Sequence, residues 1–507
     1  MNGRLSAAVL LLGLTLACAR TPAPVLPSPP PAPESAPART SRPDSLESLR
    51  SRVAALLADP TVSAGTWGVS VRSLATHEPL VEVNAHRLLT PASTMKTLTL
   101  AVTADQLGWD YTFETRVVLT GTIANGVLDG DLVVLGSGDP SFDDWDGAGA
   151  AVFASWATRL KELGVTAVGG RIIGNDDVFS DEGYGSGWMW DDMAEDYSAP
   201  ASGLQFNQGT AQIVITPGAV GEPATLALTP SHTRFPMLNR TLTTPAGGAT
   251  RLAHKALPLT PGAIVSGTIA ADATRQLRNV AIGNPTLYFA NALRSGLIAN
   301  GIDVLGGAVD IDDLVDAPAV DPSTATLVHR SAPLPALANT LMQLSQNLYA
   351  ETFLRTLGRE RGEGGTGEAG IDVVRRTLAA WGIPSSEVVM ADGSGLSRYD
   401  LVTPAAVVSV LEHVYADERL RGPFIASLPV GGQPGMLARR MKGTAADGRV
   451  QAKTGSFSNA RSLAGFVRSA DDEPLVFDIM TNNYGVPSAQ VDRVSDAIVA
   501  ALAEFRR

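Results

Sequence analysis

Pro91-Ala92-Ser93-Thr94-Met95-Lys96 opens a run that reads as a helix to residue 107, because proline is favoured in a first helical turn. Positions three apart share a helix face, so the amine of Lys96 can approach the hydroxyl of Ser93. A serine hydroxyl is a weak nucleophile until a base takes its proton. An amine serves as that base only when its pKa falls well below the free value, and burial or a neighbouring ammonium causes such a fall. The chain is sparing with this residue type. Of 39 Lys+Arg, only Lys96, Lys161, Lys255, Lys442 and Lys453 are lysines. Arginine stays protonated, so a site that needs a titratable amine must keep lysine.

Two further patterns follow in order, Ser345-Gln346-Asn347 and Lys453-Thr454-Gly455. Asn347 can hold the Lys96 amine, Ser345 can relay a proton to a departing amine, and Lys453 brings the second ammonium. The third pattern reads as a strand edge to which an extended peptide can add, with Gly455 permitting close approach. Backbone N–H groups of Ser93 and Ser456 would hold an oxyanion, and the Thr454 and Ser456 hydroxyls a terminal carboxylate. Ser-x-x-Lys, Ser-x-Asn and Lys-Thr-Gly form the set of serine β-lactamases and penicillin-binding proteins. Each of the first two occurs once in the chain.

Outside these motifs, Gly136-Ser137-Gly138-Asp139-Pro140, Gly187-Trp188-Met189-Trp190-Asp191-Asp192, Asp392-Gly393-Ser394-Gly395-Leu396-Ser397-Arg398 and Met441-Lys442-Gly443-Thr444 extend the likeness. From about Leu46 to the C-terminus the chain resembles the low-molecular-mass class C penicillin-binding proteins, the D-alanyl-D-alanine carboxypeptidase/endopeptidase family. The long interval from Ser93 to Ser345 matches that family's inserted domains; β-lactamases and other penicillin-binding classes have a much shorter one. The resemblance implies a peptidoglycan DD-peptidase that forms an acyl-enzyme at Ser93, acts on peptides ending in D-Ala, is inhibited by β-lactams and needs no cofactor or metal. It also implies a distal pocket for a diaminopimelate side chain. Asp192 matches its acidic residue, Tyr197 an aromatic one, Arg398 its arginine, and Phe457 and Ser458 its lining. An acid and an arginine together suit a group bearing both amine and carboxylate. Tyr399-Asp400 departs from relatives that end this stretch in asparagine, and Asp400 reads as a loop or capping substitution with little effect on chemistry. Two rivals remain, a β-lactamase and a non-catalytic wall-binding lipoprotein.

The fold class expected is α/β: a serine β-lactamase/DD-peptidase-like body, an antiparallel sheet with helices, carrying a large, mostly β insertion that forms extra domains. Residues 46–109 would be the first part of the body, 110–325 the insertion, and 326–507 the second part. Strands are expected at 66–74, 80–83, 115–119, 132–135, 211–216, 263–269, 450–452, 460–468 and 475–480. Helices are expected at 288–300, from 333 past 351, at 371–381 and at 489–505.

Residues 1–17 read as a signal peptide, with Arg4 followed by an apolar run too short to span a bilayer as a helix. Leu14-Thr15-Leu16-Ala17-Cys18 resembles a lipobox, and Cys18 is the single cysteine, so no intramolecular disulfide can form. Ordinary cleavage after Ala19 is the alternative. Residues 18–45, dense in proline, read as a semi-rigid tether behind a lipid anchor. The expected place is the periplasm, on the outer membrane rather than the inner, with the membrane touched only through the lipid. The net charge of -12 argues against nucleic acid as a partner. His77, His86, His232, His254, His329 and His413 show no metal-binding spacing. Asp139, Asp143 and Asp144 read as a solvated acidic loop, residues 362–367 as a linker before a helix, and Trp156, Trp188 and Trp190 as core or loop anchors.

Overall fold

Near-continuous burial along three C-terminal strands, Val450–Ser456, Ala460–Arg468 and Pro474–Asn482, whose successive side chains point to opposite faces, marks a sheet covered on both. With Thr66–Ser73 and Pro79–Val83 they form a five-stranded sheet, antiparallel throughout. Its order from one edge is Pro79–Val83, Thr66–Ser73, Pro474–Asn482, Ala460–Arg468, Val450–Ser456. The structure is a computed structural model that describes residues 46–143, 147–231, 233–258 and 260–507. The expected signal, anchor and tether, including Cys18, lie outside the described residues, as do Asp144 and His232.

Alternate residues of the sheet feed two separate cores. Trp67, Val69, Val71, Leu463, Phe477 and Ile479 pack with helices α1 (Leu46–Leu57) and α10 (Ser488–Glu504). Ala464, Phe466, Val476 and Met480 face the other way, into the largest core. There they meet α2 (Met95–Leu107), α5 (Leu334–Gln343), α6 (Asn347–Arg361), α7 (Gly367–Ala380), α8 (Pro404–Ala416) and α9 (Glu418–Ser427). The helix starts are chemically marked. Thr366 and Thr403 accept the N–H groups of Ala369 and Ala406, and Pro404 stands in the first turn of α8.

The segment between α2 and α5 builds its own core around Phe153, Trp156, Phe206, Ile213, Phe289 and Leu293. It is richer in helix than expected. Besides α4 (Pro285–Ala299), it contains α3 (Ala148–Glu162), which buries Phe153, Trp156, Ala157 and Leu160 on one face. Its strands are not all antiparallel. Leu132–Leu135 runs parallel to Ile172–Asn175, and Met237–Thr244 parallel to Ala263–Ala270. The last strand, Leu327–Arg330, pairs with Glu114–Leu119 and returns the chain beside its point of departure.

Candidate active site

Ser93 lies in a single 3₁₀ turn, Ala92–Thr94, that leads into α2. Ala92 takes φ 49°, a left-handed conformation unusual for a residue with a side chain. Two glycines make room for this turn. A Cβ on Gly395 would stand 1.9 Å from the Ala92 carbonyl oxygen. A Cβ on Gly455 would stand 2.1 Å from Ser462 Oγ, 2.6 Å from the Pro91 carbonyl oxygen and 3.0 Å from Ser93 N. Gly455 therefore serves the approach of the Ser93 turn to the edge strand, a role distinct from the expected one of admitting substrate.

Lys96 is fully buried, and its Nζ lies 2.8 Å from Ser93 Oγ, 2.6 Å from Asn347 Oδ1 and 2.7 Å from the Ser394 carbonyl oxygen. Three acceptors match the three hydrogens of an ammonium. Asn347 is held in this orientation because its Nδ2 donates to the Tyr197 carbonyl oxygen at 2.8 Å. Of the three partners only the Ser93 hydroxyl can reverse its role and donate. A neutral Lys96 therefore turns its lone pair toward Ser93. Burial pulls the Lys96 amine down to about 7, against the opposing pull of the carboxyl groups behind it, Asp392 foremost. Near neutral pH, free amine and ammonium thus coexist.

Ser345 interrupts what reads in sequence as one helix from 333 past 351. It takes φ 57° between α5 and α6, and this break aims its hydroxyl at Lys453. Lys453 Nζ donates to Ser345 Oγ at 2.8 Å and to the Thr454 carbonyl oxygen at 2.7 Å. Burial and then the Lys96 charge hold Lys453 well below the ordinary amine value. Lys453 comes from the edge strand of the sheet, Asn347 from the first position of α6.

These groups border a cavity of about 510 Å³. Ser93, Ser345, Asn347, Thr454 and Ser456 line it together with Asp192, Tyr197, Arg398, Phe457 and Ser458. Tyr197 donates its hydroxyl to Asp192 Oδ1 at 2.9 Å. The Arg398 guanidinium lies 3.9 Å from the Phe457 ring centre and donates to Asn459 Oδ1 at 3.2 Å. Met436, Arg461 and Ser488 also reach the cavity, and no sequence pattern had singled them out.

Behind Lys96 the structure holds charged groups that the motifs do not contain. Glu351, one turn beyond Asn347 on α6, accepts the N–H groups of Gly393 and Ser394. Its other oxygen pairs with Arg355 at 3.2 Å, both side chains being buried. Asp392 accepts Trp188 Nε1 at 2.7 Å, so Trp188 anchors the inserted segment to this turn. Asp400, in the loop after this turn, caps the Ala391 N–H at 2.7 Å and is fully buried among them. Asp139 is likewise buried rather than solvated, and burial pushes its carboxyl up to about 6. Trp156 and Trp188 are buried anchors, whereas Trp190 is 65% exposed.

Among known proteins, the D-Ala-D-Ala carboxypeptidase 3 (S13) family matches residues 49–505. The chain is 33% identical over 474 residues to a D-alanyl-D-alanine carboxypeptidase of Actinomadura sp. (strain R39), covering 91% of this chain and 85% of that protein. It is 25% identical over 446 residues to D-alanyl-D-alanine carboxypeptidase DacB of Haemophilus influenzae, covering 87% of this chain and 89% of that one. The crystal structure of penicillin binding protein 4 (dacB) from Haemophilus influenzae shares its fold. The TM-score is 0.77 at 24% identity, over 89% of this chain and 99% of the other.

Proposed function

The chain belongs to the D-Ala-D-Ala carboxypeptidase 3 (S13) family, and we propose that Ser93 is the nucleophile with which it opens peptidoglycan peptides ending in D-Ala. It is a serine hydrolase, a DD-peptidase. The observation that carries the residue assignment is that Lys96, a buried amine drawn down to about 7, has acceptors for all its other partners and meets a hydroxyl only at Ser93.

Neutral Lys96 takes the Ser93 proton as Oγ attacks the carbonyl of the penultimate D-Ala. The backbone N–H groups of Ser93 and Ser456 stabilise the oxyanion that results. As the intermediate collapses, the C–N bond breaks and the leaving amine takes a proton through Ser345, which Lys453 orients. Water then hydrolyses the ester and restores Ser93. When the leaving group is free D-Ala the reaction is carboxypeptidase; when it is the amine of a diaminopimelate cross-link it is endopeptidase. A β-lactam acylates the same hydroxyl and leaves a slowly hydrolysed ester.

Asp192 and Arg398 hold the amine and carboxylate at the far end of a diaminopimelate side chain. Their binding energy positions the peptide, so its loss lowers kcat/KM. One charge-assisted hydrogen bond is worth about 1.5–3 kcal/mol, one to two decades in rate. Mass analysis of a diaminopimelate pentapeptide should show wild-type protein removing one D-Ala and Asp192→Ala doing so at least about tenfold more slowly. Benzylpenicillin lacks that side chain, so its acylation rate should stay within about threefold. Equal losses on both substrates would remove Asp192 from the pocket, and steady nitrocefin turnover would point to a β-lactamase.

Cys18 is the lipid-bearing residue of a periplasmic, outer-membrane lipoprotein, with the proline-rich stretch as tether. The lipobox-like Leu14-Thr15-Leu16-Ala17-Cys18 supports this reading. No helix among the described residues is long and apolar enough to cross a membrane. Cys18→Ser should move the protein from the membrane to the soluble periplasmic fraction with activity intact. Wild-type protein that is already soluble and begins at Arg20 would establish ordinary signal cleavage instead.

A further inference from the structure

The turn that offers its Ser394 carbonyl to Lys96 is built on two carboxyl groups, Asp392 and Asp400. Asp392 Oδ1 accepts the N–H of Ser394 at 3.0 Å and of Gly395 at 2.6 Å. Its Oδ2 accepts Trp188 Nε1 at 2.7 Å, Ser397 N at 2.7 Å and Ser394 Oγ at 3.1 Å. Five donors converging on one carboxylate are the surroundings of an anion. Asp400 is arranged differently. Its Oδ1 accepts Ala391 N at 2.7 Å and Asp392 N at 3.3 Å. Its Oδ2 is buried and receives no hydrogen bond from any N–H or O–H, and the Asp400 carboxyl group lies within hydrogen-bonding reach of the Asp392 side chain.

Two carboxyl oxygens in buried contact need a proton between them. Asp392 is already surrounded by donors, so the proton belongs on Asp400. We infer that Asp400 is a neutral carboxylic acid whose Oδ2–H donates to the Asp392 carboxylate, making it a positioning residue for Lys96 through the Asp392–Ser394 turn. The proton gives the otherwise unpartnered Oδ2 its hydrogen bond. It also spares Lys96 a further anion. An ionised Asp400 would favour the ammonium form of Lys96 and reduce the fraction able to act as base.

The other charged groups around the turn are Glu351 and Arg355 from α6 and Lys96 from α2. Glu351 bonds Gly393 N and Ser394 N, Arg355 pairs with Glu351, and Lys96 meets the Ser394 carbonyl. Burial, and next the Asp392 charge, raise the Asp400 carboxyl well above its ordinary range, in keeping with a proton that stays at neutral pH. An acid raised on folding is protonated in the native state over a window where the unfolded chain has already released its proton. Stability from this group therefore falls as pH rises from the ordinary carboxylate range toward the native value.

The inference rests on Lys96 acting as base only for its kinetic consequence. Asp400→Asn preserves an acceptor toward Ala391 and supplies an N–H toward Asp392. It should acylate with benzylpenicillin at the wild-type rate, with the acid limb of the pH profile unmoved. Asp400→Ala, lacking both groups, should lose about tenfold, so that asparagine rescues what alanine removes. Thermal unfolding should show Asp400→Asn gaining on wild type as pH rises. Infrared difference spectra at pH 7 should show a protonated-carboxyl band that Asp400→Asn lacks. A shift of the acid limb to lower pH in Asp400→Asn, or no lost band, would overturn the inference by showing an ionised Asp400. Wild-type acylation by Asp400→Ala would refute the positioning role. If Lys96 is not the base, the acid limb is missing from wild type itself, while the infrared and unfolding comparisons still locate the proton.

Discussion

Ser93→Ala is expected to abolish the covalent penicillin adduct and to cut D-Ala release by roughly 10⁶, the scale on which a serine hydrolase loses its nucleophile. Two serines of the cavity have a lysine amine at 2.8 Å, Ser93 with Lys96 and Ser345 with Lys453. Distance therefore does not choose between them. The surroundings do. Ser93 sits at the entrance to α2, where the helix dipole favours developing negative charge. Its amine partner has every other hydrogen-bonding position filled by an acceptor, so a neutral Lys96 has nowhere but Ser93 to direct its lone pair. Ser345 stands at a helix break, and its lysine also bonds the Thr454 carbonyl. The role proposed for it is to pass a proton to the leaving group. Intact-mass measurement and peptide mapping after benzylpenicillin treatment check this. The adduct should map to the peptide containing Ser93, disappear in Ser93→Ala, and still form, more slowly, in Ser345→Ala. A stoichiometric adduct on Ser345 in the Ser93→Ala protein would reverse the two roles.

The parts of the site that were legible in sequence are those set by short spacings. Ser93 and Lys96 are three residues apart, Ser345 and Asn347 two, and Lys453 to Ser458 lie on or just beyond one strand. The distal pocket was accessible only through family resemblance, since Asp192, Arg398 and Phe457 come from three distant segments. That Asp392, Asp400 and Glu351 gather behind Lys96 was not legible. Trp188 and Asp392 are brought together by the fold of the inserted segment, and nothing local marks Asp400 as buried. Two helical regions were misread. Ser345 gives no sign that it adopts a left-handed conformation, so the region around α5 and α6 read as one helix. No helix was expected at α3, within a segment read as mostly β, although Phe153, Trp156, Ala157 and Leu160 carry helical spacing. Parallel pairings such as Met237–Thr244 with Ala263–Ala270 depend on partners that no hairpin turn announces.

Lys96→Gln should slow benzylpenicillin acylation by about 10²–10⁴, the usual worth of a general base, and should also remove the acid limb of its pH profile. The amide can still donate to Asn347 or to Ser394, but it cannot take the Ser93 proton. In wild type the amine loses its proton at about 7. Below that value the ammonium predominates and the rate should fall about tenfold per pH unit; above it the free amine predominates and the rate should level off. A residue that only shaped the site would lower the rate at every pH and leave that limb in place. Folding gives an independent check. The unfolded lysine keeps its proton to far higher pH than the native one. Between the two values the unfolded state binds more protons, and Lys96 makes stability rise with pH. That rise should vanish in Lys96→Gln, which should be more stable than wild type below neutrality because no charge needs burying. A Lys96→Gln protein that is stably folded yet acylates with the wild-type pH profile would transfer the base to Lys453, the other buried amine, whose pKa is also drawn down by burial.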